Sequence, residues 1–247
     1  MRAVSISQLW GRAWDLFKAN GLLLVGLYVL SIIVSLIPSI GALSIGILLW
    51  PAVIGVLIAW ILLWPALVRA GYLVALKGQS SFGEAFRDLS SLLKIFVYEL
   101  ILELISGILM YMPVLGSAIA GLSEASMEGG YGGMRGSMVF SGTEVILLWV
   151  GYILIYILIF ILNLFGWAGP YAILSGRAGI FRAIGQSFSL TAQNFGTVFL
   201  AFLLFIGLAI LGLLLCGVGL LVVGPMWYVF RPLLYLALTG EEGASHS

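Results

Sequence analysis

Charge is what this sequence has least of. Only 9% of its 247 residues are Asp, Glu, Lys or Arg and 62% are hydrophobic, with a mean hydropathy of +1.20. Soluble domains average roughly 25% charged and about 45–50% apolar residues, so a water-soluble fold is excluded. A bilayer is the solvent that accepts this much apolar surface. Histidine occurs once, at His246 near the C-terminus, which argues against zinc or haem held through imidazole and against any Ser/His/Asp or Cys/His catalytic set. Cysteine also occurs once, at Cys216, and a single thiol excludes an internal disulfide framework. The 11 basic and 10 acidic residues nearly cancel, so there is no basic excess for nucleic acid. An intramembrane aspartyl mechanism needs two aspartates in the membrane, and Asp15 and Asp88 both fall on expected surface helices. The expectation is a protein without cofactor or metal that is not an enzyme.

What is abundant is long apolar runs. A helical span needs about 20 mostly apolar residues, and six stretches qualify: Gly21 to Ser39, Ile45 to Leu67, Ile95 to Met112, Glu144 to Trp167, Phe195 to Leu215 and Gly217 to Leu238. The runs are continuous, not alternating, which excludes a β-barrel. With the N-terminus inside, ten of the 11 basic residues lie on the cytoplasmic side and only Arg135 lies outside. That bias predicts a prokaryotic cell-membrane protein with both termini cytoplasmic. Nothing in the first twenty residues has the form of a cleavable signal.

Amphipathic segments precede alternate spans. Ile6, Leu9, Trp10, Ala13, Trp14 and Phe17 form one helical face, and Gln8, Arg12, Asp15 and Lys18 the other, a pattern that suits a helix in the headgroup layer. A second segment sets Phe82, Ala85, Phe86, Leu89, Leu92 and Leu93 against Glu84, Arg87 and Asp88, with Ser81 and Glu84 in capping-box spacing. The third sets Ile180, Phe181, Ile184 and Phe188 against Arg182, Gln186 and Ser189.

These segments align with one another. Gly11 to Trp14, Gly83 to Phe86 and Phe181 to Ile184 share a charged-Ala-bulky core, and Gly11/Gly185, Asn20/Asn194 and Pro51/Pro225 match at an offset of 174. Each hairpin leaves through a similar exit, Tyr72 to Gly78, Tyr171 to Gly176 and Tyr235 to Gly240. The expected architecture is one all-α membrane domain, residues 1–247, of six transmembrane helices. It is built from three parallel repeats, each an interfacial amphipathic helix plus a helical hairpin, at about 1–78, 79–176 and 177–240, with an extracytoplasmic loop at 113–143.

The Tyr-to-Gly exit, followed by charged-Ala-bulky, a Ser and an Asn before the next span, resembles an uncharacterised multi-span prokaryotic membrane family. Its relatives include the membrane domain fused to some bacterial glycerophosphodiester phosphodiesterases. The resemblance is clearest over residues 170–240. This chain has no soluble phosphodiesterase portion, so the resemblance implies a membrane module and no hydrolase activity.

Glu99 and Glu103 stand out among the polar residues. Four apart in the third span, they share a helical face, and carboxylates are costly inside a bilayer. Three readings stand side by side: pairing with Arg69 and Arg231, contact with headgroup water, or an ion or proton site. The outer loop carries Gly129 to Gly136, with Tyr131, Met134 and Arg135 as candidate partner contacts. It lacks the setting of a phosphate-binding glycine loop. Its first part, with Leu115, Ala118, Ile119 and Leu122 on one face, is expected as a short surface helix. Small-residue stripes (Ser31, Ser35 and Ser39; Gly55 and Ala59; Gly212 and Cys216) suit close helix packing within the chain or between like copies. Asn163 is expected to bond between helices.

Lacking ligands and catalytic sets, the sequence reads as an accessory or scaffold subunit in contact with lipid and with other membrane subunits. The alternative is a transporter of a small molecule, ion or lipid with a polar site at the repeat interface.

Overall fold

A computed structural model describes residues 5–41, 50–127, 142–215 and 217–240. Among these residues all regular structure is helical: α1 (Ile6–Gly41), α2 (Trp50–Lys77), α3 (Phe82–Phe86), α4 (Leu89–Met127), α5 (Gly142–Gly166), α6 (Gly169–Leu174), α7 (Ile180–Gln193), α8 (Phe195–Leu214) and α9 (Leu220–Thr239). Four stretches among the described residues are long and apolar enough to cross a membrane: Ile6–Ser35, Trp149–Leu174, Phe195–Leu214 and Leu220–Thr239. They make the chain a multi-pass helical membrane protein in character. The expected second and third spans fall on α2 and α4.

The chain forms two compact units, one of Met1–Glu99 with Leu164–Ser247 and one of Leu100–Asn163. In the first, α1, α2 and α9 pack on one another. Leu24, Leu27 and Val34 of α1, Ala66, Leu67, Ala70 and Val74 of α2, and Phe230, Leu233 and Leu234 of α9 are all buried. Small residues set the helix separation. A Cβ added at Gly71 would stand 1.9 Å from the carbonyl oxygen of Tyr228, so α2 touches the α9 backbone there. The second unit holds the continuation of α4 and most of α5, with Leu104, Ile108, Trp149, Ile153 and Leu154 turned outward.

The amphipathic segments depart from expectation in three ways. The first is not a separate helix. It runs without a break into the first span, as 36 residues of one helix. Leu9, Ala13 and Phe17 are buried, and the Trp10 ring lies 5.5 Å from that of Phe205 and 6.2 Å from that of Phe230. The second begins as expected, with Ser81 capping Glu84 and Glu84 capping Ser81. It stops at Phe86, because Asp88 accepts from the Ser91 amide and so starts α4 as a new helix. The third, α7, buries Ala183, Ser187 and Thr191 and turns Phe181 outward at 81% exposure. One further difference lies in the expected outer loop. Helix α4 continues to Met127.

The three exits share one stereochemistry. Gly78, Gly176 and Gly240 have φ of 81°, 72° and 78°, the left-handed conformation with which glycine ends a helix at least cost. The matched asparagines also behave alike. Asn20 donates to the Leu16 carbonyl and Asn194 to the Leu190 carbonyl, each at 3.0 Å. Asn20 additionally donates to Gly78 O (2.9 Å) and accepts from Ser80 N (3.3 Å), tying α1 to the exit of α2.

Gly71→Ala should lower the melting temperature of the detergent-solubilised protein, with a cost of about 1–3 kcal/mol from overpacking against backbone that cannot swing away. Gly26→Ala, where nothing lies within 4 Å of the added carbon, should be neutral or stabilising by up to about 1 kcal/mol. Equal melting temperatures for the two variants would refute the close α2–α9 approach.

Candidate functional site

The polar residues of the first unit gather where α5 stops and α6 begins. A helix end leaves its last carbonyls without intrahelical donors, and here Leu164, Gly166, Trp167, Ala168 and Gly169 are all buried. Each carbonyl finds another donor. Ser187 Oγ donates to Phe165 O at 2.6 Å and itself accepts from Ala168 N at 3.0 Å. Tyr98 Oη donates to Gly166 O at 2.6 Å, and an Arg231 Nη donates to Trp167 O at 3.1 Å. Thr191 Oγ1 accepts from Trp167 Nε1 (3.1 Å) and lies 3.5 Å from Leu164 O. The Ala168 carbonyl accepts from Tyr171 N and Ala172 N, which starts α6.

Local sequence explains the break. Pro170, in the first turn of α6, has no amide hydrogen to donate to Gly166 O four residues back, so a continuous helix would lose that bond here. Gly169 also makes room for the donor, since a Cβ there would stand 2.1 Å from Cζ of Tyr98.

Aromatic rings surround the break. Tyr171 lies 6.3 Å from Tyr72 and 5.9 Å from Tyr235, so the three exit tyrosines form one column. The Arg231 guanidinium sits 5.9 Å from the Tyr171 ring and 5.4 Å from that of Trp227. Among the described residues, Tyr171 Oη and Arg231 Nε are buried without a hydrogen-bond partner.

The residues singled out from sequence have different settings. Glu99 is half-buried on α4. Glu103 is exposed and belongs to the second unit. Arg69 faces Asp88, 3.6 Å from its carboxylate and 3.2 Å from its carbonyl. That acid sits at the start of α4. Asn163 donates to Ile159 O of its own helix at 2.9 Å, not between helices. Tyr131, Met134 and Arg135 lie outside the described residues, as do Cys216 and His246.

No protein-family model, curated protein or solved structure matches the chain. The assignment of roles therefore rests on geometry. Among the described residues, no group of three or more His, Cys, Asp or Glu is placed to hold a metal.

Sequence reasoning passed over Tyr98, Ser187 and Thr191. Ser187 and Thr191 are four apart, with Ala183 a further turn back, and this small, hydroxyl-bearing stripe was the available signal. The eye goes instead to the bulky stripe of Phe181, Ile184 and Phe188, on another side of the helix.

Two measurements follow from this geometry. Tyr98→Phe keeps the ring on Gly169 but strips Gly166 O of its donor, and should cost about 1–3 kcal/mol, read as a lower melting temperature and faster amide exchange at 171 and 172. A melting temperature equal to that of the parent would show the carbonyl to be satisfied otherwise.

Asp88 lies outside the spans. Hydrogen bonds from the Ser91 hydroxyl and amide, helped by Arg69 and Lys94, hold its carboxyl below its usual value. A depressed folded pKa adds stability above the unfolded value of about 3.9, and this is lost as pH falls through the folded value. Asp88→Asn should therefore flatten the decline in melting temperature below about pH 4, and an unchanged slope would remove Asp88 from the acid response.

Proposed function

We propose that this chain is a non-catalytic, six-span membrane protein serving as an accessory or scaffold subunit of a larger membrane assembly. The observation that carries the reading is the state of the α5–α6 break. Transporters use interrupted helices because free helix ends coordinate substrate or ions. In this protein the carbonyls of residues 165 to 167 already accept from Ser187, Tyr98 and Arg231. The carbonyls at the break are thus engaged in holding the unit's own helices together, which favours a structural role over coordination of a cargo there.

Contact surface, by contrast, is plentiful. Leu200, Leu203, Ile210, Leu213 and Leu214 of α8 face outward, available to lipid or to helices of other subunits. Helices α2 and α4 supply the two further spans of the proposed six. Three parallel units are supported by the shared left-handed exit glycines, the ring contacts of Tyr72 and Tyr235 with Tyr171, and the matching bonds of Asn20 and Asn194. Ten of the 11 basic residues on one face of that topology support a prokaryotic cell membrane with both termini cytoplasmic.

The test is affinity isolation of the full chain from native membranes in mild detergent, followed by native mass measurement. Recovery at fixed stoichiometry with larger subunits is expected. Recovery alone, together with solute flux in reconstituted vesicles that Arg231→Gln abolishes without unfolding the protein, would overturn the reading in favour of transport.

A further inference from the structure

A cleft of about 300 Å³ opens in the first unit where α1, α2 and α9 meet, walled by Tyr28, Trp64, Trp227 and Tyr228. The Tyr228 ring lies 6.4 Å from that of Tyr28 and stands edge-on to that of Trp64 at 5.4 Å, so three rings make one continuous wall. Gly224 also lines the cleft. A Cβ there would stand 2.5 Å from the Tyr28 hydroxyl, which places that hydroxyl at the lining.

The sequence keeps charge away from it. Residues 19–68 and 217–230 include no Asp, Glu, Lys, Arg or His, so the chain on either side of every lining residue is neutral. Arg231 follows on α9, but its guanidinium is engaged with Trp167 O and lies 5.4 Å from the Trp227 ring. A cation already on that ring makes the cleft a poor cage for a second one.

What the cleft does offer is donors. The hydroxyls of Tyr28 and Tyr228 and the indole N–H groups of Trp64 and Trp227 make no hydrogen bond to another described residue. Ser31 and Ser35 turn their hydroxyls back on their own helix, donating at 2.7 Å to Tyr28 O and Ser31 O. Tyrosine and tryptophan normally find partners for these groups when buried. At 1.5 Å per helical residue, Trp64 lies roughly 21 Å from Gly78 and Tyr228 roughly 18 Å from Gly240. With those exits at the membrane surface, as in the topology proposed above, the donors sit inside a hydrocarbon core about 30 Å thick, where no water serves them.

We propose that this cleft binds an uncharged, membrane-dissolved ring compound bearing carbonyl oxygens, of the quinone type. A flat ring suits aromatic walls, and its carbonyls bring acceptors without donors to groups that are N–H and O–H. Small-molecule pockets run to roughly 300–1,000 Å³, so the cleft admits the ring and leaves an attached alkyl tail in the lipid. Entry is from the bilayer, since the lining residues Ile32 and Ser35 are exposed along the apolar stretch of α1. Occupancy does not depend on the chain being a subunit of a larger assembly.

The test titrates decylubiquinone into the purified full chain in mild detergent and follows tryptophan fluorescence, which quinones quench. Quenching should saturate at one quinone per chain. Tyr28→Phe keeps the ring but removes the hydroxyl, and should weaken binding by about fivefold to tenfold. Ser35→Leu narrows the mouth and should weaken it at least as much. Trp149→Phe, on the outward face of the second unit, should leave the saturating part unchanged. Decanol, a chain without a carbonyl ring, should not displace the quinone.

Displacement by decanol as readily as by a second quinone would make the cleft an acyl-chain groove and overturn the proposal. So would quenching that only rises linearly, as partition into detergent gives, or saturation that neither Tyr28→Phe nor Ser35→Leu alters. Unchanged melting temperatures of the variants are the control for folding. Photolabelling of the unaltered chain by an azido-quinone locates the site without any substitution. Labels are expected on the peptides around Tyr28, Trp64 or Tyr228, and labels confined to other peptides would overturn the site.

Discussion

A backbone carbonyl removed from water must find a donor, and the first unit is arranged around that requirement. Where α5 ends inside the protein, four successive carbonyls would otherwise be orphaned in a medium without water, at a cost of several kcal/mol each. The donors come from far apart in the chain: Tyr98 on α4, Ser187 and Thr191 on α7, and Arg231 on α9. Each ties its helix to the break, so one local interruption fixes the position of three other elements. The buried face of α7 follows from this. Ala183, Ser187 and Thr191 point inward because two of them carry the hydroxyls the break needs, and the phenylalanines are left to face outward.

The same constraint explains why some of the molecule was legible in its sequence and some was not. Apolar run length is a local property, so α5, α8 and α9 were placed to within a few residues. The capping box at Ser81 and Glu84 is equally local and appears as read. The exits were legible because a left-handed residue selects glycine, and Gly78, Gly176 and Gly240 stand where the repeat pattern put them.

What the sequence could not show is which groups satisfy which. Ser187 is 22 residues from the carbonyl it serves, and Tyr98 is 68 from its own. Composition also hides the difference between an apolar face that meets lipid and one that meets protein. Trp10 and Phe181 look alike in a helical projection, yet Trp10 packs on Phe205 and Phe230 while Phe181 stands exposed. Arg69 and Arg231 occupy similar places before their exit tyrosines. Arg69 reaches a carboxylate at the start of α4, whereas Arg231 reaches a carbonyl and two rings.

Arg231 shows how a charge is kept in so apolar a chain. An isolated cation in a span is expensive, and a full ion pair in low dielectric returns its desolvation cost only with good geometry. The guanidinium of Arg231 meets a backbone carbonyl and the π faces of Tyr171 and Trp227. Arginine suits this better than lysine, because its flat guanidinium can donate in its plane and stack on rings above and below. The arrangement joins α9 to the α5–α6 break. It also makes Tyr171 the meeting point of the three exits, since that ring carries Arg231 while touching both Tyr72 and Tyr235. A charge placed to close a helix end thereby holds the aromatic column as well, which is why a chain with so few charges keeps this one in a buried setting.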